Sequence, residues 1–213
     1  VHPVPLTIRM WLLALAACAG LIVLSFSRID VPLAQHFWNV AGFLRPLNTA
    51  FGATVVLSLE SVVTLGLVFA RLIRGRLPRS GEALAIACLA SICTYGINDA
   101  VLKPCFGVPV PGAVMAGTIH AFHFLAGAGN FSFPSGHMAL AGSFAGVFIS
   151  LYRVSLLPLI VLLLLAGALL VIGDWHFLSD VVAGGFVGLS SGMLAGGAWS
   201  LHSEEPSWLF KTR

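Results

Sequence analysis

Apolar stretches of hydrocarbon length constrain this chain more than any other feature. Six of them, about Ile8 to Phe26, Leu47 to Ile73, Glu82 to Leu102, Gly136 to Tyr152, Ser155 to Ile172 and Asp180 to Leu201, approach the roughly 20 residues that a helix needs to cross a bilayer. In hydrocarbon every backbone N–H and C=O must be satisfied within the protein, and helices do this segment by segment. The composition agrees: 58% of the 213 residues are hydrophobic and 9% charged, far from a soluble balance. The expected fold is therefore all-α, a bundle of six transmembrane helices forming one membrane domain over residues 1–213. No nucleic-acid partner is expected.

Cations set the orientation. Arg71, Arg74, Arg76 and Arg79 crowd the short link between the second and third stretches. If every stretch crosses, Arg9, Arg153, Lys211 and Arg213 fall on that same side, and Arg28, Arg45 and Lys103 fall opposite. The positive-inside bias makes the arginine-rich side cytoplasmic, with both termini on it. Arg9 followed by an apolar run resembles a signal peptide, but no small-residue cleavage site ends the run, so it is expected to stay as a helix.

Between the spans, the Pro- and Gly-rich segment 103–134 reads as the one long outer loop, and loops this long in compact proteins are often functional. Cys18, Cys88 and Cys93 lie inside spans, which argues against a disulfide framework. In the last stretch Gly184, Gly188, Gly192 and Gly196 recur every four residues, a smooth stripe that lets helix backbones approach closely. Gly142 and Gly146 offer the same on the fourth.

The chemistry is concentrated in Phe133-Pro134-Ser135-Gly136-His137 and, further on, His176 and Asp180. From His137 the chain descends one helix, turns near Arg153 and climbs another, so both histidines return to the outer face, where Lys103 also arrives. Pro134, Ser135 and Gly136 open a helix whose free N–H groups and positive dipole end attract an anion. The bland alternative is an ordinary N-cap beside a proline. His176 and Asp180 stand four apart, so the carboxylate can accept from one ring nitrogen and leave the other free to attack phosphorus. His137 is then placed to protonate the leaving oxygen and later to activate water.

These blocks resemble the type-2 phosphatidate phosphatase superfamily, whose signature is written K-x6-R-P, P-S-G-H and S-R-x5-H-x3-D. The second block matches in full as Pro134-Ser135-Gly136-His137, and the third retains His176-x3-Asp180. The resemblance implies that His176 is the nucleophile, Asp180 its orienting partner and His137 the general acid, with Lys103, Ser135 and Gly136 holding phosphoryl oxygens. It implies a reaction without metal or other cofactor, on a lipid or lipid-linked phosphate or diphosphate.

Two positions depart from that signature. Val110-Pro111 stands where Arg-Pro is expected after Lys103, and Leu169-Leu170 stands where Ser-Arg is expected before His176. Each charge-assisted hydrogen bond contributes roughly 1.5 to 3 kcal/mol, so the loss of two arginines weakens binding of a dianion severely unless something compensates. Three explanations stay open: a less charged phosphodiester donor, with the enzyme transferring a head group; substitute cations at Arg45, His120 and His123; or a fold kept for binding alone. A haloperoxidase, which shares the superfamily motifs, is disfavoured by the spans and by the missing arginines.

Other polar residues are weighed on position. His120 and His123 are expected on a short interfacial helix, and with Asp174 they form at most a loose metal set. Asp174 and Trp175 are placed to line the pocket, although Trp175 reads more simply as an aromatic-belt residue. Asn98 and Asp99 precede Lys103 by about a turn and either position it or cap the helix end. Glu60 falls mid-helix at the depth of Ser91, Thr94 and Tyr95, where hydrogen bonding within the bundle is expected, with a substrate or proton role as the alternative. A proton relay through Glu60, His137, His176 and Asp180 would need those groups strung across the bilayer, and the histidines lie at one face. The expectation is a multi-pass bacterial inner-membrane enzyme with a periplasmic active site.

Overall fold

The computed structural model describes residues 7–40, 42–44, 52–152 and 156–203. Its architecture is all-α, built on α1 (Ile8–Val40), α2 (Ala53–Arg74), α3 (Arg79–Phe106), α4 (Gly136–Leu151), α5 (Leu156–Ile172) and α6 (Leu178–Ser203). Among the described residues four helices, α1, α2, α3 and α6, are long and apolar enough to cross a membrane, while α4 and α5 are shorter apolar helices of 16 and 17 residues. Arg45, Arg153, Lys211 and Arg213 lie outside the described residues.

Polar groups are inside and large apolar side chains outside, the reverse of a water-soluble bundle. Ser91, Asn98, Ser143 and Asp180 are fully buried, whereas Leu13, Leu59, Leu72 and Leu164 are exposed on the outer faces. That distribution suits hydrocarbon as the surrounding solvent, where helices associate through packing and interhelical hydrogen bonds. Thr94 Oγ1 on α3 reaches Ser143 Oγ on α4 at 3.1 Å and Ser191 Oγ on α6 at 2.8 Å. Trp11 Nε1–H on α1 donates to Ser190 Oγ on α6 at 3.1 Å.

The α4–α6 pair forms the centre. A Cβ at Gly146 would stand 2.8 Å from the Leu189 carbonyl oxygen, and one at Gly142 would stand 3.1 Å from the Leu189 nitrogen. Gly188 and Gly192 return the favour against the backbone of Ala139 and Ser143. The glycine stripes thus bring the two backbones together, and Met138, Ala145, Ile149, Leu163 and Val181 fill the core beside them.

Three expected boundaries move. The first helix continues past Phe26 to Val40 because a π-turn, Ser25–Ile29, absorbs the polar segment: Ser27 Oγ–H bonds the Val23 carbonyl at 2.7 Å and Asp30 is buried against α6. The third helix continues past Leu102 through a second π-turn, Asn98–Leu102, and ends at Gly107, whose φ of 63° and contact with the His123 backbone leave no room for a side chain. The long loop expected over 103–134 therefore starts at Gly107 and not at Lys103. Finally, His120 and His123 are not on a helix; the short helix in this loop is Pro111–Met115.

The loop is folded back on the bundle. Ser132 N–H donates to the Val108 carbonyl at 2.9 Å and His123 N–H to the Phe106 carbonyl at 3.0 Å. Phe26, Phe106, Phe122 and Phe133 pack around Val108 and Ala183 beneath it. This cluster holds the segment leading into Pro134 against α6.

Candidate active site

Two hydrogen bonds fix the start of α4. Asn98 Nδ2–H, from the π-turn of α3, donates to the Pro134 carbonyl at 3.0 Å, and Ser135 N–H donates to the Asp180 carbonyl of α6 at 3.0 Å. A π-turn shifts helix register by one residue and is often found at functional sites. Here it turns buried Asn98 toward Pro134 and leaves Lys103 beside Gly136. Ser135 itself is fully buried as the N-cap, its Oγ accepting from Met138 N–H at 3.3 Å. The hydroxyl oxygen thereby satisfies one of the free donors of α4, a bond that does not use the hydroxyl's own proton.

His137 is the second residue of α4, and His176 sits on the turn between α5 and α6. His137 Nδ1 and His176 Nε2 are 3.2 Å apart. On the other side of the second ring, His176 Nδ1 faces Asp180 Oδ2 at 3.5 Å, one turn away. Asp180 is held in place by Phe177 N–H, which donates to the same oxygen at 2.8 Å. An Nδ1–H directed at Asp180 leaves the Nε2 lone pair toward His137. Burial, and after it the charge of Lys103, push the His176 imidazole down to about 3, with a hydrogen bond to the Ser132 backbone pulling the other way. His176 is consequently neutral at physiological pH, as a nucleophile must be.

A cleft of about 380 Å³ opens over these groups, lined by Tyr95, Lys103, Gly136, His137, Asp174 and His176 among others. Lys103 Nζ is held by Asp99 Oδ1 at 2.9 Å. A Cβ at Gly136 would stand 3.0 Å from the Tyr95 ring and 3.7 Å from Lys103 Nζ, so the glycine leaves the helix start open beside the ammonium. Trp175 lines the cleft, its ring centroid 6.2 Å from that of His137. Among the described residues, Lys103 is the cation lining the cleft.

The other expected substitutes for arginine are elsewhere. His120 stacks between Phe26 and Phe177, at 4.2 and 4.3 Å between ring centroids, with Nε2 3.5 Å from Asp30 Oδ2. Neither His120 nor His123 lines the cleft, and they do not gather with Asp174 into a metal-binding set. Arg45 lies outside the described residues.

Sequence reasoning missed Asp30. Its Oδ1 accepts from Ser179 N–H at 3.1 Å and its Oδ2 from the Ser179 hydroxyl at 2.5 Å, immediately before Asp180. The available signal was an acidic residue with a neighbouring proline just after an apolar run, which reads more simply as the end of a helix. Tyr95 and Trp38 in the cleft lining carry no sequence signal of their own.

No curated protein sequence matches the chain. Among solved structures it is similar to the first transmembrane PAP2 type phosphatidylglycerolphosphate phosphatase from Bacillus subtilis, with a TM-score of 0.55 and 20% identity over 91% of this chain and 96% of that one. At that identity the likeness speaks for the fold. Residues 83–201, more than half of the sequence and spanning Lys103, His137, His176 and Asp180, match the family model of the PAP2 superfamily. The chain belongs to the PAP2 superfamily.

Proposed function

We propose that this protein is a multi-pass membrane phosphatase that cleaves the phosphoryl group from a lipid or lipid-linked phosphate through a phosphohistidine intermediate. The observation that carries the reading is the contact of His137 with His176, backed by Asp180 and faced by Lys103 at the opening of α4. In this reading all six helices cross as a single domain, Arg71 to Arg79 lie in the cytoplasm, and the cleft opens at the outer surface, periplasmic in a bacterial inner membrane.

The steps follow from the geometry. Lys103 and the free N–H groups of α4 hold the phosphoryl oxygens, and the negative charge of the bound phosphate favours a proton on His137. His176 Nε2 attacks phosphorus while the P–O bond to the lipid breaks, and His137 gives its proton to the leaving oxygen. Asp180 stabilises the positive charge that develops on the His176 ring through Nδ1–H. His137, now neutral, takes a proton from water; the hydroxide attacks phosphorus, the N–P bond breaks, and inorganic phosphate leaves with His176 restored.

A second reading is favoured by the single cation among the described lining residues. A phosphodiester carries one negative charge fewer than a monoester dianion, and Lys103 with the helix start suits that charge. A lipid alcohol replacing water in the second half would make the protein a head-group transferase. The test is mass spectrometry of phosphatidate, polyprenyl diphosphate and phosphodiester lipids incubated with purified protein, with and without an alcohol acceptor. Release of phosphate that is lost in His176→Asn supports the phosphatase, and a His176-dependent head-group transfer supports the second reading. Full activity in a well-folded His176→Asn protein refutes both.

A further inference from the structure

Behind the reacting imidazoles the protein buries two carboxylates from opposite ends of the chain. Asp30, just past the π-turn of α1, and Asp180, in the first turn of α6, are each at most 1% exposed. Both oxygens of Asp30 accept from Ser179, the residue before Asp180. Asp180 must be ionised to accept from His176 Nδ1–H and to stabilise the positive charge that attack places on that ring. A second ionised carboxylate close by, in an interior shut off from water, opposes this unless a cation compensates. Lys103 is engaged by Asp99 on the cleft side.

His120 stands where the compensation is needed. It belongs to the segment between α3 and α4, its side chain is 6% exposed, and its Nε2 lies 3.5 Å from Asp30 Oδ2. The ring stacks on Phe26 and lies against the tilted ring of Phe177, surroundings that favour a cation over a neutral imidazole once a carboxylate is at hand. Neither of its nitrogens has a hydrogen-bond partner among the described residues, so Asp30 is the acceptor it faces. Asp30 and His120 are both within electrostatic reach of Asp180.

We propose that His120 is a positioning residue for the catalytic carboxylate: as an imidazolium it cancels the charge of Asp30, so that Asp180 stays ionised and holds His176 in its Nδ1–H tautomer. The inference rests on the reading of His176 as the nucleophile. Without the cation, one proton shared by the two carboxylates is the less costly arrangement. An Asp180 that carries that proton donates it to His176 Nδ1, and the ring's own hydrogen then resides on Nε2, the nitrogen that has to attack.

Nitrogen-15 NMR of the histidine-labelled protein in detergent, at about pH 7.5 and so above the range of a free histidine, reads charge and tautomer directly. Wild type is expected to show an imidazolium signal that is lost in His120→Phe, which keeps a ring in the stack, and also in Asp30→Asn. His176, assigned with His176→Asn, is expected as the Nδ1–H tautomer in wild type and largely as the Nε2–H tautomer in His120→Phe. In the double variant Asp30→Asn/His120→Phe no charge is left to cancel, and the Nδ1–H tautomer returns. On a lipid phosphate that is turned over, His120→Phe is expected to lower kcat by about tenfold with KM within about threefold, whereas adding it to Asp30→Asn costs less than about threefold. A stacking role alone would lower the melting temperature and leave the tautomer of His176 in place. A wild-type spectrum without an imidazolium overturns the proposal and needs no variant; an unchanged His176 tautomer in folded His120→Phe overturns it as well. If no lipid phosphate is turned over but the spectra change as expected, the phosphatase reading falls and the inference stands.

Discussion

His137 and His176, 39 residues apart in the chain, meet nitrogen to nitrogen at 3.2 Å. The contact exists because α4 and α5 run down and back, and because Ser135 N–H is tied to the Asp180 carbonyl, which anchors the start of α4 to the start of α6. Resting imidazoles that bond one another leave no phosphorus between them. On the proposed mechanism substrate parts the pair, with the phosphoryl group entering between the nitrogen that would attack and the nitrogen that would carry the proton.

That arrangement separates the duties of the two rings. In His137→Asn the intact His176 still attacks, but nothing protonates the leaving oxygen or deprotonates water. With an aryl phosphate, whose leaving group needs no proton, His137→Asn is expected to form the phosphoenzyme and then stall. Acid-labile phosphate trapped on His176, absent in His176→Asn, is the measurement. Turnover of the aryl ester by His137→Asn at the wild-type rate would remove His137 from the second step.

Lys103 should carry much of the ground-state binding. One charge-assisted hydrogen bond corresponds to roughly 1.5 to 3 kcal/mol, so Lys103→Met is expected to raise KM for a phosphomonoester by about 10- to 150-fold. Asp99 is half-exposed and its pairing with Lys103 is an i, i+4 contact at the surface. Asp99→Ala is expected to lower kcat/KM by only about threefold. Equal losses in the two variants would show that Asp99 does more than steer the lysine.

The apolar stretches, the glycine stripes and the second and third motif blocks were legible because each depends on a short, local pattern. Spacing alone returned His137, His176 and Lys103 to one end of the bundle. The failures share a physical cause. A polar residue within a helix ordinarily signals a boundary, yet Asp30 is satisfied by Ser179, 149 residues away. His120 reads as a candidate substitute cation because both motif arginines are missing; its aromatic stack with Phe26 and Phe177 is tertiary and leaves no trace in the local sequence. The N-cap that the sequence offered as the bland alternative at Ser135 is formed.

The buried, neutral His176 makes stability depend on pH in a definite direction. Its folded value of about 3 lies below the roughly 6.5 of an unfolded histidine. Above pH 6.5 neither state binds the proton and the contribution is complete; as pH falls toward 3 the unfolded chain takes up a proton that the folded one refuses. The loss approaches about 1.4 kcal/mol per pH unit for one such group. Thermal unfolding in detergent between pH 7.5 and 4 is expected to fall more steeply for wild type than for His176→Asn, with the other titrating groups cancelling in the difference. Parallel curves would mean that His176 is accessible to protons in the folded state.

Asp30 gives the sharpest test of how the first helix contributes to catalysis. It bonds both the backbone N–H and the hydroxyl of Ser179, the residue next to Asp180, and it touches no group that lines the cleft. Its effect must therefore pass through Asp180, by position and by charge. A displacement of about 1 Å in a catalytic group can cost on the order of 100-fold in rate, so Asp30→Ala is expected to lower kcat by about 10- to 100-fold while KM stays within about threefold. Ser179→Ala loses the hydroxyl but keeps the backbone bond, and its loss in kcat should be smaller. A packing role alone would lower the melting temperature and the yield of folded protein without this split between kcat and KM. Both constants, measured on monodisperse protein of matched thermal stability, separate the two: equal kcat in wild type and Asp30→Ala would confine Asp30 to holding α1 against α6.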